Sequence, residues 1–171
     1  MSHAYEPRDA NLLGALGLAV ADRLAGGSAA ETLVELYGRR AGSTIEALSG
    51  VTGLTHSGTV RLIDRLAGGG LVERRRGADQ RSVAVYLTPP GRREARAVLA
   101  KREAAMQSLL ALLTDDQRIG LVAGTEAMLR ELGAAPEAER RLCRLCDLES
   151  CGRSRGRCPV ITRTPRQATD I

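Results

Sequence analysis

The chain has 171 residues, 43% of them hydrophobic, and a net charge of +5, which suits one domain with its own core plus an appendage. No apolar run approaches the roughly 20 residues that span a bilayer, and the run Leu12 to Val20 is short, holds two glycines and lacks a basic leader. Neither a membrane span nor a signal peptide is expected, which places the protein in the cytoplasm. Three tyrosines with no Phe or Trp leave the core to aliphatic side chains and argue against recognition by base stacking.

The charge is unevenly spread. Residues 55 to 102 carry 11 Arg or Lys against 4 Asp or Glu, a net of +7, and residues 136 to 171 carry 8 against 5, a net of +3. Residues 1 to 54 hold 4 against 6 and residues 103 to 135 hold 2 against 5, so the remainder is acidic. Isolated surface arginines serve solubility, but seven net charges on one motif point to nucleic acid. Only Lys101 among the basic residues is lysine. The guanidinium fork suits bidentate contacts to phosphate and guanine, although an Arg bias equally follows genome base composition.

Residues 1 to 8 read as unstructured. From Asn11 to Leu24, Leu12, Leu16, Val20 and Leu24 recur every four residues and predict an amphipathic helix that ends at Gly26-Gly27. Ser28 and Glu31 have capping-box spacing ahead of Leu33, Val34, Leu36 and Tyr37, predicting a second helix that stops near Gly42. Ser43 and Glu46 repeat that spacing before Ile45, Ala47 and Leu48, and Gly50 and Gly53 flank a short turn. Thr55 then N-caps a further helix. On it Val60, Ile63, Leu66 and Ala67 form a buried stripe, with Ser57, Gly58, Arg61 and Arg65 on the other face. Gly68 to Gly70 end that helix. Val72 to Arg76 and Ser82 to Leu87 alternate as strands around a polar GADQR tip. The predicted class is mainly α with a small β-hairpin wing: a winged helix-turn-helix.

Thr88-Pro89-Pro90 starts a helix that runs to about Leu113, with Val98, Leu99, Met106, Leu109, Leu110 and Leu113 as its apolar face. About 24 residues make it about 36 Å long. Thr114 and Gln117 begin another, reaching Leu132, with Asp115 and Asp116 at its positive end. Two long apolar-faced helices exceed what a small domain buries on its own, which predicts a homodimer. Gly133 to Pro136 form a boundary. The expected organisation is a winged domain with dimerisation helices over residues 10 to 132, containing the reading motif 43 to 88, then an appendage over 136 to 160 and a polar tail over 161 to 171.

In such a dimer the helix from Thr55 enters the major groove at each half-site of a pseudo-palindromic operator in double-stranded DNA. Thr55 sets the start of that helix, and His56, Ser57, Thr59 and Arg61 are the base-contact candidates. Arg65 and Arg74 are expected to meet phosphates.

The appendage holds every cysteine of the chain, Cys143, Cys146, Cys151 and Cys158, spaced C-x2-C-x4-C-x6-C. In a cytoplasmic protein such a cluster reads as a metal site before a disulfide framework. Structural zinc on four thiolates is the first reading, with Arg141, Arg144, Arg153, Arg155 and Arg157 offsetting its charge and Gly152 and Gly156 allowing tight turns. An iron-sulfur cluster is the alternative, suggested by the terminal Cys158-Pro159. Thiols that carry no metal and oxidise reversibly are the third.

Five short motifs occur here in the order and spacing of the MarR family of bacterial transcriptional regulators, which the chain resembles over roughly residues 10 to 132. They are Leu54-Thr55, Arg61-Leu62-Ile63-Asp64-Arg65-Leu66, Gly70-Leu71-Val72-Glu73-Arg74, Asp79-Gln80-Arg81 and Leu87-Thr88-Pro89-Pro90-Gly91. The resemblance implies that the first helix joins the dimer interface and that the second backs the helix-turn-helix. It also implies that Arg81 enters the minor groove, oriented by Asp79. Gln80 stands where arginine is frequent, and Gly58 where a larger residue is usual. The appendage lies outside the matched region.

The expected function is therefore a sequence-specific regulator, a repressor before an activator, controlled by a small-molecule effector or by metal or redox chemistry at the cysteines. Tyr37 reads as structural and His56 as DNA-facing rather than as effector ligands. Two other classes compete: a thiol or iron-sulfur redox protein, and a winged helix serving only protein contacts. The sequence shows no nucleophile and base pairing and no phosphate-binding G-x-x-x-x-G-K, so no enzyme is expected.

Overall fold

A computed structural model of the chain describes residues 6–24, 26–38, 42–76, 83–135 and 138–161. Helix α1 spans Pro7–Arg23, beginning four residues before the expected start. Pro7 supplies a preset first turn, and Glu6 and Asp9 close a reciprocal cap around it. Helix α2, Gly27–Gly38, buries Leu33, Val34 and Leu36. The expected capping box at its start is not made: the Glu31 carboxylate instead accepts from Arg144 Nε at 2.8 Å.

A two-residue strand, β1 (Ser43–Thr44), precedes α3 (Ile45–Thr52). This moves the cap by one residue from Ser43 to Thr44, whose hydroxyl accepts from the Ala47 N–H at 3.2 Å. Ser43 is buried because it sits in a ladder. Helix α4 runs from His56 to Gly68 with Thr55 as its cap, the Thr55 hydroxyl accepting from the Gly58 N–H at 3.1 Å. Its end is a Schellman turn: Leu71 N–H donates to the Leu66 carbonyl and Gly70 N–H to that of Ala67, both at 2.9 Å. Gly70 there has φ +69°, the left-handed region.

Strands β2 (Val72–Arg76) and β3 (Val83–Leu87) form the wing. The sheet has three strands in the order β1-β3-β2, all antiparallel, with Ser43 opposite Val85 and Val72 opposite Leu87. The core lies beneath it: Leu36, Leu48, Ile63 and Val85 are sealed from solvent, with Leu33, Leu62, Leu66, Val72 and Leu87 around them.

Helix α5 spans Pro89–Leu110, three residues shorter than expected, capped by Thr88. Helix α6 spans Asp115–Leu132 and starts with the Thr114–Gln117 capping box. Neither α1 nor α6 buries a single residue. Leu12, Leu13, Leu16 and Leu18 on α1, and Ile119, Leu121, Val122, Met128 and Leu132 on α6, all stand in solvent. No single helix among the described residues is long and apolar enough to cross a membrane. Helix α7 (Ala138–Leu142) and a 3₁₀ turn at Arg153–Arg155 complete the appendage, which folds back so that α7 packs on α3.

Candidate nucleic-acid interface and thiol cluster

The candidate interface is built on α4. Burial of Leu62, Ile63 and Leu66 leaves Thr55, His56, Ser57, Arg61 and Arg65 exposed. The Thr55 hydroxyl caps the helix and lies 3.3 Å from Ser57 Oγ. Arg61 Nε donates to the Ser57 carbonyl at 3.3 Å, which folds the guanidinium along the first turn, where backbone N–H groups and the helix dipole already favour anions. Gly58 has a local reason to be small: a Cβ there would stand 3.1 Å from the Thr55 hydroxyl and crowd the cap.

Thr59 corrects the sequence reading. Its relative exposure is 0%. Its hydroxyl donates to the Thr55 carbonyl at 3.0 Å and stands 2.9 Å from the Ser49 hydroxyl of α3. It is a polar pin between the two helices of the turn, buried away from solvent. Helical periodicity left it ambiguous because it sits at the border between the apolar stripe and the polar face.

Arg74, expected at a phosphate, is paired within the protein. Its Nη1 meets Asp64 Oδ1 at 2.6 Å, with both side chains partly exposed. The pair holds the wing to α4, and at this exposure it contributes no more than about 1 kcal/mol. Two further wing arginines were not singled out from the sequence. Arg75 pairs with Glu73 and stacks 5.1 Å over the Tyr86 ring, and Arg76 is exposed at the far end of β2. The RRR run was their signal, but a strand pattern does not say which residues a neighbouring carboxylate neutralises. Asp79 and Arg81 lie outside the described residues.

The four cysteines are drawn together by the appendage. They form no disulfide, and Cys143 and Cys158 are buried while Cys146 and Cys151 are partly so. The neighbouring Cys146, together with burial, raises the Cys143 thiol far above its ordinary pKa, and the neighbouring Cys143 lowers that of Cys146 to about 6. Burial raises Cys151, which also interacts with Cys158 and Cys146. Arg153, and Arg102 from α5, favour the Cys146 thiolate. Among the described residues no three Cys, His, Asp or Glu side chains stand in an arrangement that could hold a metal ion.

The appendage is fastened to α2 at two points besides the α7–α3 contact. One is the Arg144–Glu31 ion pair. The other is Leu148, whose Cδ1 would lie 2.7 Å from a Cβ at Gly38. Leu145 reaches a cleft of about 330 Å³ lined also by Leu33, Leu66, Leu71 and Val98. Tyr37 packs against the core and lines a second hollow beside α5, in keeping with its structural reading, while His56 is exposed at the head of α4.

Comparison with solved structures places this architecture. The chain is similar to MepR, a transcription regulator of the Staphylococcus aureus multidrug efflux pump MepA. The match covers 75% of this chain and 99% of MepR, with a TM-score of 0.64 and 19% identity. RV1404 from Mycobacterium tuberculosis matches over 79% of this chain and 100% of its own, with a TM-score of 0.65 and 24% identity. A MarR family transcriptional regulator from Rhodococcus sp. RHA1 matches over 74% and 96%, with a TM-score of 0.56 and 21% identity. No protein-family model and no curated protein matches the sequence. The likeness is one of fold: a mainly helical winged helix with a small three-stranded antiparallel sheet.

Proposed function

We propose that this chain is a sequence-specific transcriptional regulator that binds double-stranded DNA as a homodimer and represses transcription by occupying its operator. One observation carries the reading: α4 has one face locked in the core and presents His56, Ser57, Arg61 and Arg65 on the other, beside the arginines of β2. A reading helix needs both a rigid back and an exposed polar front. The uncovered apolar faces of α1 and α6 supply the dimer contact. The 330 Å³ cleft behind α4, with Lys101 and Arg102 at its edge, is within the size range of small-molecule sites and suits an effector.

The test is binding of the purified protein to DNA from upstream of its own gene, titrated with salt and with random competitor. Affinity should fall steeply as salt rises, because phosphate contacts release counterions, and random DNA should compete poorly. Equal affinity for both DNAs would remove the sequence-specific reading.

Arg61→Ala should relax preference at one base pair by about 1 to 3 kcal/mol, whereas Arg76→Ala should weaken all sequences alike and reduce the salt slope by about one. Selection of binding sites from a random pool distinguishes the two. Thr59→Val should lower stability by about 1 kcal/mol through its lost hydrogen bonds and leave base preference where it was. A shifted preference in the same selection would return Thr59 to the base-reading set.

A further inference from the structure

We propose that the cysteine appendage is part of the DNA-binding surface: Arg141, near the end of α7, holds a backbone phosphate beside the turn between α3 and α4. The inference rests on the regulator reading and adds to it a contact that neither the reading helix nor the wing supplies.

Three observations carry it. The first is position. Helix α7 packs on α3, and a Cβ at Gly53 would stand 3.9 Å from Arg141 Nη2. Gly53 ends α3 in the left-handed region, at φ +70°, and lies just before Thr55, the cap of α4. A guanidinium from far along the chain is thereby set at the corner of the helix-turn-helix. In such a motif the first helix crosses the phosphate backbone while the front of the second enters the major groove. A cation at the corner between them meets the phosphates that border the groove.

The second is availability. Two arginines of the appendage are already committed within the protein, Arg144 Nε to Glu31 and Arg153 Nη2 to Glu139, each at 2.8 Å. No carboxylate among the described residues pairs with Arg141, which is exposed. Phosphate oxygens match the planar fork of a guanidinium with two parallel hydrogen bonds. The net charge of +3 over residues 136 to 171 favours the approach of a polyanion.

The third is support. Arg144 donates through Nη1 to the Arg141 carbonyl while its Nε is tied to Glu31 of α2. The last turn of α7 is thus pinned to the helix behind the reading unit, and Arg141 is presented from a fixed backbone, which lowers the ordering cost of binding. A guanidinium near the C-terminal end of α3 also suits the helix dipole. That purely structural role would register in stability and leave salt dependence alone.

The experiment measures binding of the full chain to DNA from upstream of its own gene and to random DNA across a salt series. The unaltered chain is compared with Arg141→Ala, Arg141→Lys and Arg140→Ala. Arg140 lies on the same helix but lines the hollow against α2 with Val34 and Gly38, so its loss removes an equal charge from a different direction. Arg141→Ala should weaken binding to both DNAs alike and reduce the salt slope by about one per chain. Arg141→Lys should recover most of that slope, because it keeps the point charge, and Arg140→Ala should match the unaltered chain. An Arg141→Ala slope equal to that of the unaltered chain would overturn the proposal. So would an equal change in Arg140→Ala, or a lowered melting temperature with an unchanged slope, which would make Arg141 a cap on α3. An unaltered chain that does not bind DNA would instead remove the regulator reading, and this contact with it.

Discussion

Gly91→Ala is expected to cost the fold about 3 kcal/mol or more, the upper part of the range for overpacking a close-packed site. A Cβ at Gly91 would lie 1.9 Å from the Leu71 carbonyl oxygen, 2.9 Å from its carbon and 3.1 Å from Leu87 Cδ2. The first two are backbone atoms, so no rotamer change relieves the contact. The first turn of α5 would have to lift away from the Gly70–Leu71 turn. That movement strains two bonds: Thr88 N–H to the Leu71 carbonyl at 3.1 Å, and Thr88 Oγ1 to the Gly70 carbonyl at 2.6 Å. Urea unfolding should show a lower midpoint with an unchanged slope. Gly50→Ala in α3 is the contrast: nothing lies within 4 Å of its Cβ position, and replacing a helical glycine there should be neutral or stabilise by up to about 1 kcal/mol. Equal stability of the two variants would mean that the start of α5 is not seated as described.

The pair Leu121→Glu with Met128→Glu should give a folded monomer whose affinity for its DNA site is lower by about 100-fold or more, the avidity lost when two linked half-site contacts become one. These residues and Leu132 lie on one stripe of α6, spaced seven and four residues apart, and are 41%, 43% and 60% exposed within a single chain. No residue of α6 is buried in its own chain, so two carboxylates there leave the winged core intact while placing four like charges at a symmetric interface. Sedimentation of the variant should give a monomer at micromolar concentration, and its thermal unfolding should retain the cooperative transition of the winged core. A variant that stays dimeric would move the interface elsewhere, and a wild-type chain that sediments as a monomer would remove the dimer from the proposed function.

What could be read from the sequence is what acts over three or four residues. Thr55, Thr88 and Thr114 each cap the helix expected of them, because a hydroxyl reaching its own first turn needs no distant partner. Ile63 and Leu66 of the expected stripe are buried, with Leu62 beside them, and the glycine stop and the alternating hairpin are likewise local; together they specify a winged helix. Partners brought from far along the chain were not legible. Thr59 is buried because α3 crosses α4 at Ser49. Ser43 gave its capping role to Thr44 because it pairs with Val85 across 42 residues of chain. Arg74 is held by Asp64 instead of projecting alone, and Glu31 left its capping box for Arg144, 113 residues away. The cysteine spacing announced a cluster. Its seat against α2, α3 and α5 was decided by the tertiary structure, since a ligand spacing records which thiols can meet and carries no information about the surface on which they do.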